Sequence, residues 1–145
     1  MRAVLDTNVF VSGLLRPQGV PGQILRLWRT GRLHLLYSPA LLDELVNVLA
    51  RPRLRKYGLQ SDDVRAVIDF LHEYGQLVIP TEPLAVCRDP KDNHILEIAL
   101  TSRADAIVSG DADLLVLHPF QGTPILSPAD FMASGAFLAP PPTTG

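Results

Sequence analysis

Arg2-Ala3-Val4-Leu5-Asp6-Thr7-Asn8 carries an apolar run too short for a helix, and the run stops at a carboxylate. A short apolar run without helical period, bounded by a turn or helix signal, reads as a buried strand. Val4 and Leu5 make it a central strand and put Asp6 at its carboxyl end. In open parallel α/β sheets, ligands bind outside the carboxyl ends of the strands. This one stretch therefore predicts a fold class and also the place where chemistry is to be sought.

Outward from it, four more runs read as strands: Leu33–Tyr37, Leu77–Ile79, Ala106–Val108 and Pro124–Leu126. Helical patterns separate them. One covers about Pro21–Arg29 and is closed by Gly31. A second starts from the N-cap Ser38 with Pro39 at its first position, and carries the stripe Leu42, Leu45, Val46, Leu49. A third starts from Ser61, with Asp62 and Asp63 in its first turn and the stripe Val64, Val67, Ile68, Leu71. A fourth runs from about Pro90 to Ser102 with Ile95, Leu96 and Ala99 inward. Alternating strands and helices predict a three-layer α/β/α sandwich around a parallel sheet of about five strands, joined by right-handed crossovers. Two helices rather than one lie between the second and third strands.

The 145 residues are 47% hydrophobic and 19% charged, which fits one packed domain and excludes a disordered chain. Residues 1–137 are expected to form that domain and residues 138–145 a Pro-rich tail. No apolar run approaches the ~18 residues of a membrane span. Asp6 breaks any signal-peptide core, and the single Cys87 excludes an intramolecular disulfide and a cysteine-rich zinc site. A cytoplasmic protein that engages no membrane is expected. The net charge of −2 provides no bulk attraction for nucleic acid, so any such binding has to come from a local patch.

The acids are the informative residues. Asp6 ends the first strand, and Asp111 and Asp113 follow the fourth in Ser109-Gly110-Asp111-Ala112-Asp113. Asp92 precedes Ile95, Leu96 and Ala99 by three, four and seven residues, the spacing of the inward stripe itself. Asp89 precedes Pro90 and reads as a helix cap. Glu44 sits at the edge of the Leu41, Leu42, Leu45, Val46 patch. If Asp6, Glu44, Asp92 and Asp111 converge, each pair ~4 Å apart repels by about 4 kcal/mol at an effective dielectric of 20. The cluster then stays partly protonated or holds a cation. All-oxygen ligands suit Mg²⁺ or Mn²⁺. His34, His72, His94 and His118 are scattered rather than set at zinc spacing. His94 is two residues from Asp92 on a helix and is expected to point elsewhere.

LDTNVFVSGLL at Leu5–Leu15, SPALLDEL at Ser38–Leu45, DPKDNHILEIA at Asp89–Ala99 and VSGDADLL at Val108–Leu115 together resemble the motifs of PIN-domain nucleases. They are most similar to those of the bacterial and archaeal toxin components of toxin–antitoxin pairs. The resemblance spans about Met1 to Phe131. It implies a parallel sheet flanked by helices and a metal-dependent ribonuclease that hydrolyses phosphodiester bonds. It implies Asp6, Glu44, Asp92 and Asp111 as catalytic, metal-binding acids, with Asp113 as a further ligand and Asn8, Ser109 and Asp89 in support. The implied substrate is RNA. Since an acidic site repels a polyanion, the basic groups expected around it are Arg16, Arg51, Arg53, Arg55, Lys56, Arg88 and Lys91. An antitoxin protein and a second copy of the chain are the expected partners, served by apolar surface at Val11–Leu15 and Val20–Trp28.

Two rival readings remain. A haloacid-dehalogenase-type phosphatase also starts with a strand-end Asp, but Asn8 stands where its second, acid-supplying Asp would be, and the chain lacks room for a cap domain. A non-catalytic RNA- or protein-binding domain of the same fold is disfavoured by the intact acid set.

Overall fold

A computed structural model describes residues 1–138; the last seven residues of the expected tail lie outside the described residues. The five strands are β1 (Arg2–Leu5), β2 (His34–Tyr37), β3 (Gln76–Leu77), β4 (Ala106–Val108) and β5 (Ile125–Leu126). All pair in parallel, in the order β3-β2-β1-β4-β5. Ala3, Val4 and Leu5 lie opposite Ala106, Ile107 and Val108, and all six are buried. This is the both-faces burial of a sheet covered by helices, as expected from the apolar runs.

The helices are α1 (Thr7–Leu15), α2 (Val20–Arg29), α3 (Pro39–Leu49), α4 (Ser61–Tyr74), α5 (Asn93–Ser102), α6 (Ala112–Leu115) and α7 (Pro128–Ser134). From β1 the chain moves through β2 to β3 on one side, then returns to lay β4 and β5 on the other. The sheet order therefore reverses between β1 and β4, which by the rule for open α/β sheets places the crevice outside their carboxyl ends. That is the switch point where ligands bind in open α/β folds.

Several local expectations shift. β3 is Gln76–Leu77 rather than Leu77–Ile79, and it is an edge strand: Leu77 and Ile79 are 53% and 62% exposed while Val78 is buried. In α3 the buried stripe is Leu41, Leu45, Leu49; Leu42 is only partly buried and Val46 is 40% exposed. With apolar residues on both faces, packing decides the rotation, and it turns Glu44 toward α5. The cap of α4 is Gln60, whose backbone N–H donates to Asp63 Oδ2 at 2.9 Å, rather than Ser61. The fourth predicted helix divides into a 3₁₀ turn, Pro90–Asp92, and α5. Helix α7 was not anticipated. Its start repeats the Ser–Pro signal of α3: Ser127 Oγ accepts from Asp130 N at 3.1 Å, with Pro128 at the first position and Phe131 fully buried.

α1 and α2 pack against each other before the chain turns into β2 at Gly31, whose φ of 79° falls where glycine is favoured. Gly13 of α1 faces Leu25 of α2, and Gly22 lets the connection between the two helices pass close to α2. A Cβ there would lie inside the backbone of Pro17 rather than against a movable side chain. Gly22→Ala is therefore expected to lower stability by about 1–3 kcal/mol, the usual cost of overpacking. Denaturant unfolding checks this; an unchanged midpoint would contradict it.

Candidate metal centre at the sheet switch point

Each acid of the crevice is positioned by the element it begins or ends. Asp6 continues β1 by donating its N–H to Val108 O at 3.0 Å, and its side chain then caps α1 by accepting from Thr7 N at 2.7 Å. Its second oxygen accepts from Ser109 Oγ at 2.8 Å. Asp6 and Ser109 are both buried, so this bond joins the ends of β1 and β4 beneath the crevice. Ser109 Oγ also accepts from Asp111 N at 3.0 Å, and Asp111 Oδ1 accepts from Asp113 N at 2.9 Å. The turn after β4 thus folds its own acids toward Asp6, and both faces of that turn are used: one oxygen of Asp111 caps α6 and the other stays available.

Asp92 enters from the opposite side, at the junction of the 3₁₀ turn and α5, where it is half-buried. One oxygen from each of Asp92, Asp111 and Asp113 lies within 4.8 Å of the others, a separation that one cation can bridge. Asp92 Oδ2 is buried and has no hydrogen-bond partner. An orphaned buried carboxylate oxygen is costly unless a proton or a cation meets it. The electrostatics agree. Burial, then contact with Asp111 that a shared proton turns into a hydrogen bond, then repulsion by Asp111, Asp6 and Asp89 push Asp92 up to about 7. Burial also raises Asp6, and repulsion by Glu44 and Asp111 adds to this against the hydrogen bonds from Ser109 and Thr7.

Asp89 does what its place before Pro90 predicts, accepting from Lys91 N at 3.0 Å. Glu44 lies within the field of Asp6 but is engaged elsewhere: His94 Nε2 donates to Glu44 Oε2 at 2.6 Å. His94 was expected to point away from Asp92, and no hydrogen bond joins the two; what spacing could not show is that α3 brings Glu44 to the face that His94 occupies. Asn8 is exposed on the first turn of α1. Thr7, buried with its Oγ1 unpartnered, adjoins Asp6 at the candidate site; it was passed over although it stands inside the Asp6–Asn8 motif.

Of the basic residues, Arg88 stands at the cluster, with Nη1 3.7 Å from Asp113 Oδ1. Lys91 is exposed on the adjoining 3₁₀ turn. Arg16 caps the far end of α1, roughly 15 Å along the helix from Asp6 at 1.5 Å per residue. Arg51 caps a separate 3₁₀ turn, Pro52–Tyr57, that carries Arg53, Arg55 and Lys56. That turn leads into Tyr57–Leu59, which line a cavity of about 460 Å³ with Leu14, Leu15 and Trp28.

Comparison with known proteins places this geometry. The family model described as PIN domain matches residues 2–113. An uncharacterized protein of Methanocaldococcus jannaschii is 34% identical over 118 residues, covering 81% of this chain and 76% of the relative. Among solved structures, the fold is similar to that of VapBC2 from Rickettsia felis bound to a DNA fragment from their promoter. The TM-score is 0.58 at 12% identity, over 88% of this chain and 98% of that one, a likeness of fold.

The raised Asp92 has a signed consequence. Its value in the fold, about 7, lies above the ordinary 3.8, so its contribution favours the fold below 3.8 and is lost as pH rises through about 7. In metal-free protein, Asp92→Asn is therefore expected to melt close to the wild type near pH 4 and above it at pH 8. Melting curves across that range check this; a difference that shrinks as pH rises would contradict it.

Proposed function

The chain belongs to the PIN-domain family, and from that premise we propose that it is a metal-dependent ribonuclease that hydrolyses phosphodiester bonds of RNA as the toxin of a toxin–antitoxin pair. The observation that carries this reading is the buried, partnerless oxygen of Asp92 beside the oxygens of Asp111 and Asp113. The donors are all carboxylate oxygens, which fits Mg²⁺ or Mn²⁺ rather than zinc. Asp92, Asp111 and Asp113 would hold the ion, with Asp6 adjoining through Ser109 and Glu44 approaching from α3. When bound, such an ion supplies Lewis acidity toward a phosphate oxygen and lowers the pKa of water.

The chain's own residues support hydrolysis by water. Ser109 Oγ is buried and committed to Asp6, and Thr7 Oγ1 is buried. Burial and the repulsion of Asp92, Asp111, Asp113 and Asp89 push the Cys87 thiol up to about 11, which leaves it neutral and a poor nucleophile. Among the described residues, no hydroxyl or thiol beside the acids is thus poised for covalent attack. The buried Asp6 holds the ends of β1 and β4 at fixed spacing beneath the site. Helix α3 brings Glu44 to the rim, oriented by His94.

The antitoxin fits the cavity between α1, α2 and α4. Leu14, Leu15, Leu25, Trp28 and Phe70 make it apolar, and Arg26 and Arg29 stand at its edge. The fold shared with VapBC2 supports this partner. A homodimer belongs to the same proposal.

The deciding test is cleavage of a labelled single-stranded RNA with and without Mg²⁺ or Mn²⁺. Wild type is expected to cleave only with the ion, and either ion is expected to raise the melting temperature by mass action. Asp6→Asn is expected to keep or gain stability, because it removes a buried charge, while cleavage falls by about a hundredfold or more. Undiminished cleavage by that variant removes Asp6 from the mechanism. Release of phosphate from a monoester without RNA cleavage would transfer the reading to a phosphatase.

A further inference from the structure

Between β3 and the 3₁₀ turn at Pro90, residues 78–89 run without helix or strand. Side chains of α5 hold this segment down at three levels. Thr101 Oγ1 accepts from Thr81 N at 3.3 Å, and Glu97 Oε2 accepts from Leu84 N at 3.0 Å. Asn93 Oδ1 accepts from both Val86 N at 3.1 Å and Cys87 N at 2.9 Å. Asn93, Glu97 and Thr101 are spaced by four, so they form one row along the helix. The backbone meets them in reverse order and so descends antiparallel to α5 toward its N-terminus. The row binds only main-chain N–H groups, so it fixes the path of the segment whatever its side chains. Asn93, the last fastener, is buried; the next residue after Cys87 is Arg88.

Arg88 emerges from this fastening at the rim of the carboxylate cluster. Its side chain is 87% exposed, and its 3.7 Å approach to Asp113 is a surface pair of little intrinsic strength. The guanidinium is thus held near the acids without being used by them, and guanidinium groups bind phosphate bidentately. We propose that Asn93, Glu97 and Thr101 are positioning residues. They pin residues 81–87 as a strap so that Arg88 stands beside the acidic cluster as a phosphate-contacting residue for the RNA backbone. The identity of the anion rests on the nuclease reading; the strap rests on the geometry. A polyanion approaching Asp92, Asp111 and Asp113 meets this cation first, and a loose segment would lose binding to the cost of ordering it.

The test uses the full chain and a fluorescein-labelled single-stranded oligoribonucleotide of mixed sequence. Binding is read by anisotropy in EDTA at several salt concentrations. Arg88→Ala is expected to reduce the salt slope by about 0.7, the value for one phosphate contact on a single strand. Glu97→Ala, which frees Leu84 N, is expected to weaken binding by roughly threefold to tenfold. Glu97→Gln keeps the acceptor and is expected to bind as wild type. The Arg88→Ala/Glu97→Ala double variant is expected to bind no more weakly than Arg88→Ala alone, because both changes remove one interaction. Amide exchange at Leu84, Val86 and Cys87 should speed up in Glu97→Ala while Mn²⁺ affinity by calorimetry stays unchanged, which separates a freed strap from a damaged fold. Additive losses in the double variant, or wild-type binding by Glu97→Ala, would overturn the strap's role. Wild type that binds the oligonucleotide with this Arg88 dependence but cleaves nothing with Mg²⁺ or Mn²⁺ would overturn the nuclease reading alone.

Discussion

Repulsion among carboxylates at the carboxyl ends of β1 and β4 is the constraint around which this molecule is arranged. Asp6 is buried at the end of the central strand, where a lone charge is expensive. Hydrogen bonds from Thr7 N and Ser109 Oγ partly offset that cost, and they bind the two strands together at the point where the sheet order reverses. The acids of the turn after β4 are set from this joint. Ser109 orients the backbone of Asp111, Asp111 caps the turn that carries Asp113, and α5 delivers Asp92 opposite them. The apolar sheet beneath makes the geometry stiff: Leu5, Val108 and Ile107 are almost wholly buried, so the strand ends cannot separate to relieve the charge. The strain is left to protonation, which raises Asp92 and Asp6, or to a cation.

Helix capping and charge crowding therefore pull against each other at one place. Capping by Asp6, Asp89 and Asp111 stabilises the helices that follow them, as it would in any α/β protein. The same carboxylates, brought within a few ångströms, destabilise one another. An acid used only as a cap needs no second acid facing it, and the bland capping role accounts for Asp89 but not for the buried free oxygen of Asp92. That distinction is what turns a set of helix caps into a candidate site.

Much of this was legible in the sequence because it rests on local rules. The runs ending at Leu5 and Val108 have only one reading as buried strands, and an acid directly after each marks the crevice. The inward spacing of Asp92 follows from the helix period. What was hidden depends on contacts between distant segments. Leu77, Val78 and Ile79 are all apolar, so sequence could not show that the edge strand ends at Leu77 and that only Val78 of the three is buried. Helix α3 is apolar on two faces, and only packing chose Leu41, Leu45 and Leu49. The same choice set Glu44 against His94, a pair 50 residues apart that no spacing rule reaches. Likewise, the row Asn93, Glu97, Thr101 is visible as an i, i+4 pattern, but its partners are backbone amides with no signature of their own. Asp113 needed the turn geometry to be seen as a full member of the cluster rather than an accessory.

The most direct measurement of the central claim is a crystal structure of the protein soaked with Mn²⁺, with data collected to show the ion's anomalous scattering. The account predicts one strong peak in contact with oxygens of Asp92, Asp111 and Asp113, above the Asp6–Ser109 joint. A peak bound elsewhere, or an occupied crystal in which these three carboxylates hold no ion, would contradict it.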